Sequence, residues 1–272
     1  MKLLPTILWI FIIAVFTNAC HNTSKNEFTN SDGNLVVEEL FSNDQPKIRT
    51  IYLNKEKTDY ILTTYYESGE VMDSARYKDG IAVGKRVYYD REGDLLHVEH
   101  YKNGILDGVN KGIYGDGTTS YEGFRVAGKK AGEWIFHYPD GGPITYEFYD
   151  TTGKLLFFRK YDETGRFEKT NGQPFIFIHD VASPSPDGTY LVHFVVVDPP
   201  LSSNRVEVID PSIRDSGNII GSSRIKTVRS EVPVSVSESG NKSLEFFFRS
   251  ENIKTGEVQQ FSQTRTINFP EI

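Results

Sequence analysis

The chain has 272 residues, enough for two modest domains that each bury a core. Aromatic residues make up 13%, with 15 Tyr and 18 Phe against 2 Trp and 2 Met, a balance that favours pleated β-structure over helix. The formal net charge is −7, so the overall field draws the chain to neither nucleic acid nor anionic lipid, and no nucleic-acid partner is expected.

The N-terminus opens with Lys2, then an unbroken apolar run over residues 7–16, then Thr17-Asn18-Ala19-Cys20. A charged start, a short apolar core and a small residue before the junction read as a signal peptide over residues 1–19. Ten apolar residues are too few to span a bilayer as a helix. Ala19-Cys20 resembles the junction of bacterial lipoprotein signals, although Thr17 stands where those signals usually carry an aliphatic residue. The resemblance implies that Cys20 becomes the first mature residue, carries lipid and holds the protein to the outer membrane of a bacterial envelope. Cys20 is the single cysteine, so no intramolecular disulfide is available.

Residues 20–45 are rich in Asn, Ser and Thr and read as a flexible linker. From residue 46 the chain becomes strand-like, in IRTIYLN and then YILTTYY. A repeat follows. Gly69, Gly93, Gly117 and Gly141 recur every 24 residues, as do Gly80, Gly104 and Gly128, and Gly84, Gly108 and Gly132. Beyond Gly141 the spacing changes to 12, at Gly153 and Gly165. Tyr66, Tyr114 and Tyr138 each precede a glycine of the first series by three residues. Asp79-Gly80, Asn103-Gly104, Asp116-Gly117 and Asp140-Gly141 are tight-hairpin signals, because glycine reaches positive φ without steric cost. A 24-residue unit is therefore one β-hairpin plus its connection, and stacked hairpins form an elongated antiparallel array over residues 46–170.

Tyr121-Glu122-Gly123-Phe124, then Gly128-Lys129, then Gly132-Glu133-Trp134, resembles the MORN repeat. The units at residues 77–93 and 101–117 are similar to its degenerate variant, found in bacterial proteins assigned as antitoxin components of toxin–antitoxin systems. The resemblance covers about 110 of the 272 residues. It implies a scaffold, with glycines and aromatics as structural parts, and leaves function open.

Residues 171–272 lose the glycine period and show short β-forming runs such as TYLVHFVVVD and SLEFFFRS, separated by turn clusters. They predict a small antiparallel β-sandwich of immunoglobulin-like form, without the cysteine pair and core tryptophan of antibody domains. The chain is thus expected to be all-β.

Catalytic signals are weak. His97 and His100 are the one close histidine pair, and three residues apart on a strand they face opposite sides, so no metal site is expected. No G-x-S-x-G or phosphate-loop spacing occurs, and neither enzymatic activity nor a cofactor is expected. A lone sheet cannot bury both faces, which leaves aromatic residues as binding candidates: Trp134, His137, Tyr138, Tyr146 and Tyr149. The alternative is that these rings interlock as core. The reading is a lipid-anchored, non-catalytic binding or scaffolding module with an envelope protein or glycan as partner. Peptidoglycan binding and antitoxin or immunity work are the alternatives.

Overall fold

The computed structural model describes residues 24–182, 184–212, 219–224, 229–236 and 238–271. The signal segment and Cys20 lie outside the described residues. The protein is all-β: one long antiparallel sheet and two smaller sheets.

The long sheet comprises β1 (Lys25–Thr29), β2 (Leu35–Leu40), β3 (Pro46–Tyr52), β4 (Asp59–Tyr65), β5 (Val71–Lys78), β6 (Ile81–Tyr89), β7 (Leu95–Lys102), β8 (Ile105–Leu106), β9 (Gly108–Ile113), β10 (Thr119–Val126), β11 (Lys129–His137), β12 (Pro143–Tyr149), β13 (Leu155–Tyr161) and β14 (Phe167–Gly172). Neighbours in sequence are neighbours in space throughout, and only the two-residue β8 stands off the main path, paired with β7. The expected linker over residues 20–45 is therefore corrected: from Lys25 it supplies the first two strands of the array, β1 and β2. The polar composition that suggested a linker belongs to an edge strand whose residues are all exposed, with Lys25 paired to Glu39 across the ladder at 2.8 Å. Charge on an edge strand discourages further pairing.

The turns alternate between the two long edges of the sheet, and this resolves the glycine pattern. On one edge, Lys78 pairs with Ile81, Lys102 with Ile105 and Val126 with Lys129, leaving two-residue loops. Their central residues all have positive φ: Asp79 50° and Gly80 77°, Asn103 52° and Gly104 76°, Ala127 48° and Gly128 82°. Positive φ at both positions defines the type I′ turn, whose twist matches that of the flanking strands. The Gly104 and Gly128 amides donate to the Ala82 and Leu106 carbonyls of the preceding hairpin, so successive turns are tied together.

On the other edge the loops are longer. The Gly69, Gly93, Gly117 and Gly141 amides donate to the carbonyls of Tyr66, Asp90, Tyr114 and Tyr138, three residues earlier in each case. Asp116-Gly117 and Asp140-Gly141 are thus not two-residue turns as expected: they close five-residue loops in which only the glycine has positive φ. Gly165 continues this edge 24 residues after Gly141, while Gly153 belongs to the opposite edge. The apparent halving of the period is two interleaved series. Gly84 and Gly132 reverse nothing: they sit inside β6 and β11, beside the register shifts after Ala75 and Gly123, where a bulge bends the strand.

The tyrosines of the first series have a defined task. The Tyr66, Tyr114 and Tyr138 hydroxyls donate to the Tyr89, His137 and Tyr161 carbonyls at 2.9, 2.7 and 3.3 Å, each bridging to the next turn along the edge.

Beyond the array lie β15 (Phe175–Val181), β16 (Thr189–Val196), β17 (Ser202–Ile209), β18 (Ile219–Arg224), β19 (Arg229–Ser235), β20 (Gly240–Asn252) and β21 (Val258–Phe269). They form two sheets, ordered β15-β16-β19 and β18-β17-β20-β21. Read as immunoglobulin strands, this is A-B-E facing C′-C-F-G, the Greek-key order expected of that sandwich. Alternate residues of both sheets build one core: Val192, Phe194, Val206, Val208, Val232, Val234, Phe246 and Phe248 are all buried.

Ala127 is the one residue of the three type I′ turns that is neither glycine, aspartate nor asparagine. A methyl side chain gains no local hydrogen bond in the left-handed region, which Asn tolerates better. Ala127→Asn is expected to stabilise the protein by about 1 kcal/mol, read as a higher urea midpoint at unchanged slope; an unchanged or lower midpoint would contradict the turn assignment.

Candidate functional site

The two faces of the array differ. On one face, mid-strand glycines act as slots for rings. A Cβ at Gly123 would fall on the Trp134 indole, and one at Gly112 on the Tyr121 ring. Each ring lies across a glycine of the adjacent strand, since Gly123 pairs with Trp134 and Gly112 with Tyr121. This accounts for the Tyr-x-Gly spacing at Tyr121-Glu122-Gly123: the glycine is a seat, and the next strand supplies the occupant.

The rings join into ladders across the strands. Tyr60 stacks on Tyr77 at 5.4 Å and meets Tyr52 edge-on at 5.9 Å. Further along, Tyr88, His97, Tyr121, Trp134 and Phe136 follow one another at 5.9–6.3 Å. Such pairs each add about 0.5–1.5 kcal/mol beyond area burial. Cations lie over the rings: Arg86 over Tyr88 at 4.7 Å, and Lys130 over Trp134 at 4.7 Å and Tyr149 at 5.1 Å.

Carboxylates hold the hydroxyls. The Tyr88 and Tyr101 hydroxyls both donate to Glu99 Oε2, at 3.0 and 2.8 Å. Forty-eight residues on, two repeats later, Tyr149 donates to Glu147 Oε2 at 2.7 Å and Lys130 to the same oxygen at 2.8 Å. Burial, then the neighbouring Glu99 or Glu147, pushes the Tyr88, Tyr101 and Tyr149 hydroxyls above their usual range, so they stay protonated donors. His97 is exposed within this ladder, and Tyr52, Tyr60, Tyr77, Tyr121 and Phe136 are half-buried.

The five aromatic candidates do not form one surface. Trp134 is 1% exposed, held by its Nε1 donation to the Phe124 carbonyl at 2.9 Å, and Tyr146 is 0% exposed on the opposite face. Both are corrected from surface to core. A glycine slot takes in Trp134, and the sandwich covers Tyr146. Tyr149 is half-buried on the ladder face. His137 and Tyr138 stand at the loop edge, where His137 Nδ1 lies 3.1 Å from the Gly141 carbonyl and the Tyr138 hydroxyl bridges to the next turn. His97 and His100 do face opposite sides: His97 joins the ring ladder, while His100 Nδ1 meets the Val109 carbonyl at 2.9 Å. Among the described residues no three His, Cys, Asp or Glu side chains gather as metal ligands.

The opposite face carries the sandwich at its C-terminal end. Tyr146, Phe148, Phe157, Tyr161 and Phe167 of the array share a core with Val195 and Val197. Arg159 of β13 is completely buried here. It donates to the Ser202 and Ser250 hydroxyls at 2.9 and 3.0 Å and to Gln259 Oε1 at 3.1 Å, with its guanidinium 4.1 Å from the Phe167 ring centre. No described carboxylate pairs with it, and burial lowers its proton affinity. Tyr161 donates to the Pro200 carbonyl at 2.8 Å and Asn252 to the Gly165 carbonyl at 2.7 Å. Sequence reading missed this junction, since nothing along the chain marks Arg159 as facing Ser250 across 91 residues. The ladder had a signal: Tyr77, Tyr101 and Tyr149 share one position of the repeat, with Arg125 between them.

Comparison with known proteins adds little. No family model matches the chain, and no curated protein does. Two solved structures of TarM, the first of the S. aureus protein in complex with fondaparinux, α-GlcNAc-glycerol and UDP, are similar over 39% of this chain, at 9% and 8% identity and TM-scores of 0.28. The matched part spans 21% and 20% of those chains, and a likeness of that size carries no argument.

The junction also holds two acids of raised proton affinity. Burial raises the Glu133 pKa against the opposing donation from Tyr146 at 2.7 Å, with the Asp198 charge adding to the rise. Asp198 is likewise raised by burial, against a hydrogen bond from Asn204 at 2.8 Å. A carboxyl whose folded pKa is raised favours the folded state when protonated, and that contribution is lost as pH rises through the shifted value. Glu133→Gln keeps an acceptor for Tyr146 and removes the charge. Its melting temperature relative to wild type is expected to rise as the pH is raised above about 4, the ordinary carboxyl range; a pH-independent difference would show that Glu133 is not desolvated in the junction.

Proposed function

We propose that this protein is a non-catalytic binding or scaffolding module of a bacterial envelope, anchored through lipid on Cys20, and that it engages its partner through the ring-ladder face of the hairpin array. The observation that carries this reading is the asymmetry of the sheet. One face is occupied at its C-terminal end by the sandwich, whereas the other offers a row of half-buried rings whose polar tips are held by Glu99 and Glu147. Rings fixed in advance lose little side-chain entropy when a partner docks, and aromatic residues are the commonest energetic centres of interfaces. A long array of paired strands suits an extended partner, whether an envelope protein or a glycan strand.

A photo-crosslinking amino acid placed at His97, exposed within the ladder, is expected to capture a discrete partner in cells. The same group at Ser262, exposed on the sandwich, serves as control. Equal capture at the two positions, or none at His97, would defeat the ladder as interface. Anchoring is tested separately. Cys20→Ser is expected to abolish labelling by a clickable palmitate analogue and to move the protein from the membrane to the soluble fraction; labelling that persists would remove Cys20 as the lipid site.

A further inference from the structure

The sheet β18-β17-β20-β21 has an outer surface with an arrangement unrelated to the ring ladder. Val206 and Val208 of β17 and Phe246 and Phe248 of β20 point into the core. Strand alternation therefore turns Ser203, Arg205, Glu207, Arg249 and Glu251 outward. The register places Arg205 directly opposite Arg249. Arg224 occupies the position opposite Arg205 on β18, and Gln260 the position opposite Arg249 on β21. Like charges directly opposite one another on a sheet are destabilising, and this pair stands on a chain of net charge −7.

Each guanidinium turns along its own strand to a carboxylate instead of across to a neighbour. Arg205 Nη1 lies 3.9 Å from Glu207 Oε1, and Arg249 Nη2 lies 3.2 Å from Glu251 Oε2. Both arginine side chains keep 53% exposure, so these pairs contribute little and leave donors free. Between them runs a groove of about 230 Å³ lined by Ser203, Asn204, Arg205, Glu207, Arg249 and Glu251. Arg205 and Arg249 are rooted across its middle, each guanidinium swung towards the carboxylate at its own end, Glu207 or Glu251, with the Ser203 hydroxyl opposite Glu251.

We propose that this groove binds an acidic sugar. Its carboxylate sits between Arg205 and Arg249, and its ring hydroxyls donate to Glu207 and Glu251. The guanidinium fork matches a planar carboxylate through two parallel hydrogen bonds. A neutral sugar brings the opposed arginines no negative charge beyond that of the exposed Glu207 and Glu251. A bare inorganic anion gains nothing from the flanking carboxylates and is repelled by them. The volume fits one sugar unit, free or at the end of a chain. The site is independent of the ring ladder, and either can fail without the other.

Calorimetric titration of the detergent-solubilised full chain with galacturonate, galactose and inorganic phosphate tests the assignment. Galacturonate is expected to bind saturably, galactose not to bind, and phosphate to bind at least about tenfold more weakly. Arg205→Ala and Arg249→Ala, both at exposed positions, are each expected to weaken galacturonate binding about tenfold with an unchanged melting temperature. Glu207→Gln is expected to weaken galacturonate and strengthen phosphate. Absence of galacturonate binding, equal binding of galactose, phosphate binding as tight as galacturonate, or full affinity in the Arg205→Ala/Arg249→Ala double variant would each overturn the proposal.

Discussion

With the short β8 set aside, each strand of the long sheet is hydrogen-bonded to the next one along the chain, from β1 to β14, and the rest of the molecule depends on that ladder. A single hairpin is marginal in water, so each gains its stability from the neighbour it pairs with. Pairing of this kind demands that every reversal occupy a fixed length. The 24-residue recurrence of turns along each edge is the sequence trace of that demand. Because contacts are mostly between adjacent elements, loop-closure costs stay small along the array.

The side chains follow from the ladder. Glycines at 112 and 123 lower the surface locally so that Tyr121 and Trp134 lie flat across the sheet. Those rings stack because backbone pairing sets neighbouring strands about 4.8 Å apart, close to a favourable ring separation. Glu99 and Glu147 then serve the tyrosines two residues away on the same strand, and cations cover the ring faces. A surface organised in this way is ordered before any partner arrives.

The sandwich is joined to the array by a different logic. Arg159 is a buried cation held by two serine hydroxyls and a glutamine oxygen, with no carboxylate paired to it among the described residues. Removing it from water costs several kcal/mol, offset only in part by neutral acceptors and the Phe167 ring. Such a group contributes more to the specificity of the docking geometry than to stability, because its Nη donors are met by Ser202, Ser250 and Gln259 only in this arrangement of the two parts, while Nε is left without a partner among the described residues. The same contact covers Tyr146 and leaves the arginine groove open on the outer surface of the sheet that Arg159 meets.

The periodic features were legible along the chain because they are local. Glycines at 24-residue intervals, Asp-Gly and Asn-Gly pairs and alternating β-formers sufficed for a hairpin array followed by a sandwich. The start of the array was not legible: its first strand is polar and exposed, its second is only six residues long, and the two carry only Gly33 and the positive-φ Asp44 as turn markers. Which aromatic residues remain accessible was also beyond local reading. Trp134, Tyr146 and Tyr149 have similar sequence surroundings, yet one fills a glycine slot, one lies beneath the sandwich and one stays half-buried on the free face. The amino-acid sequence alone determined the hairpin period, the tight turns at Asp79-Gly80 and Asn103-Gly104 and the all-β class, since these arise within a few residues. Tertiary structure decided which face is covered, what surrounds Arg159 and that Arg205 meets Arg249, because strand register and domain docking bring together residues that no spacing along the chain connects.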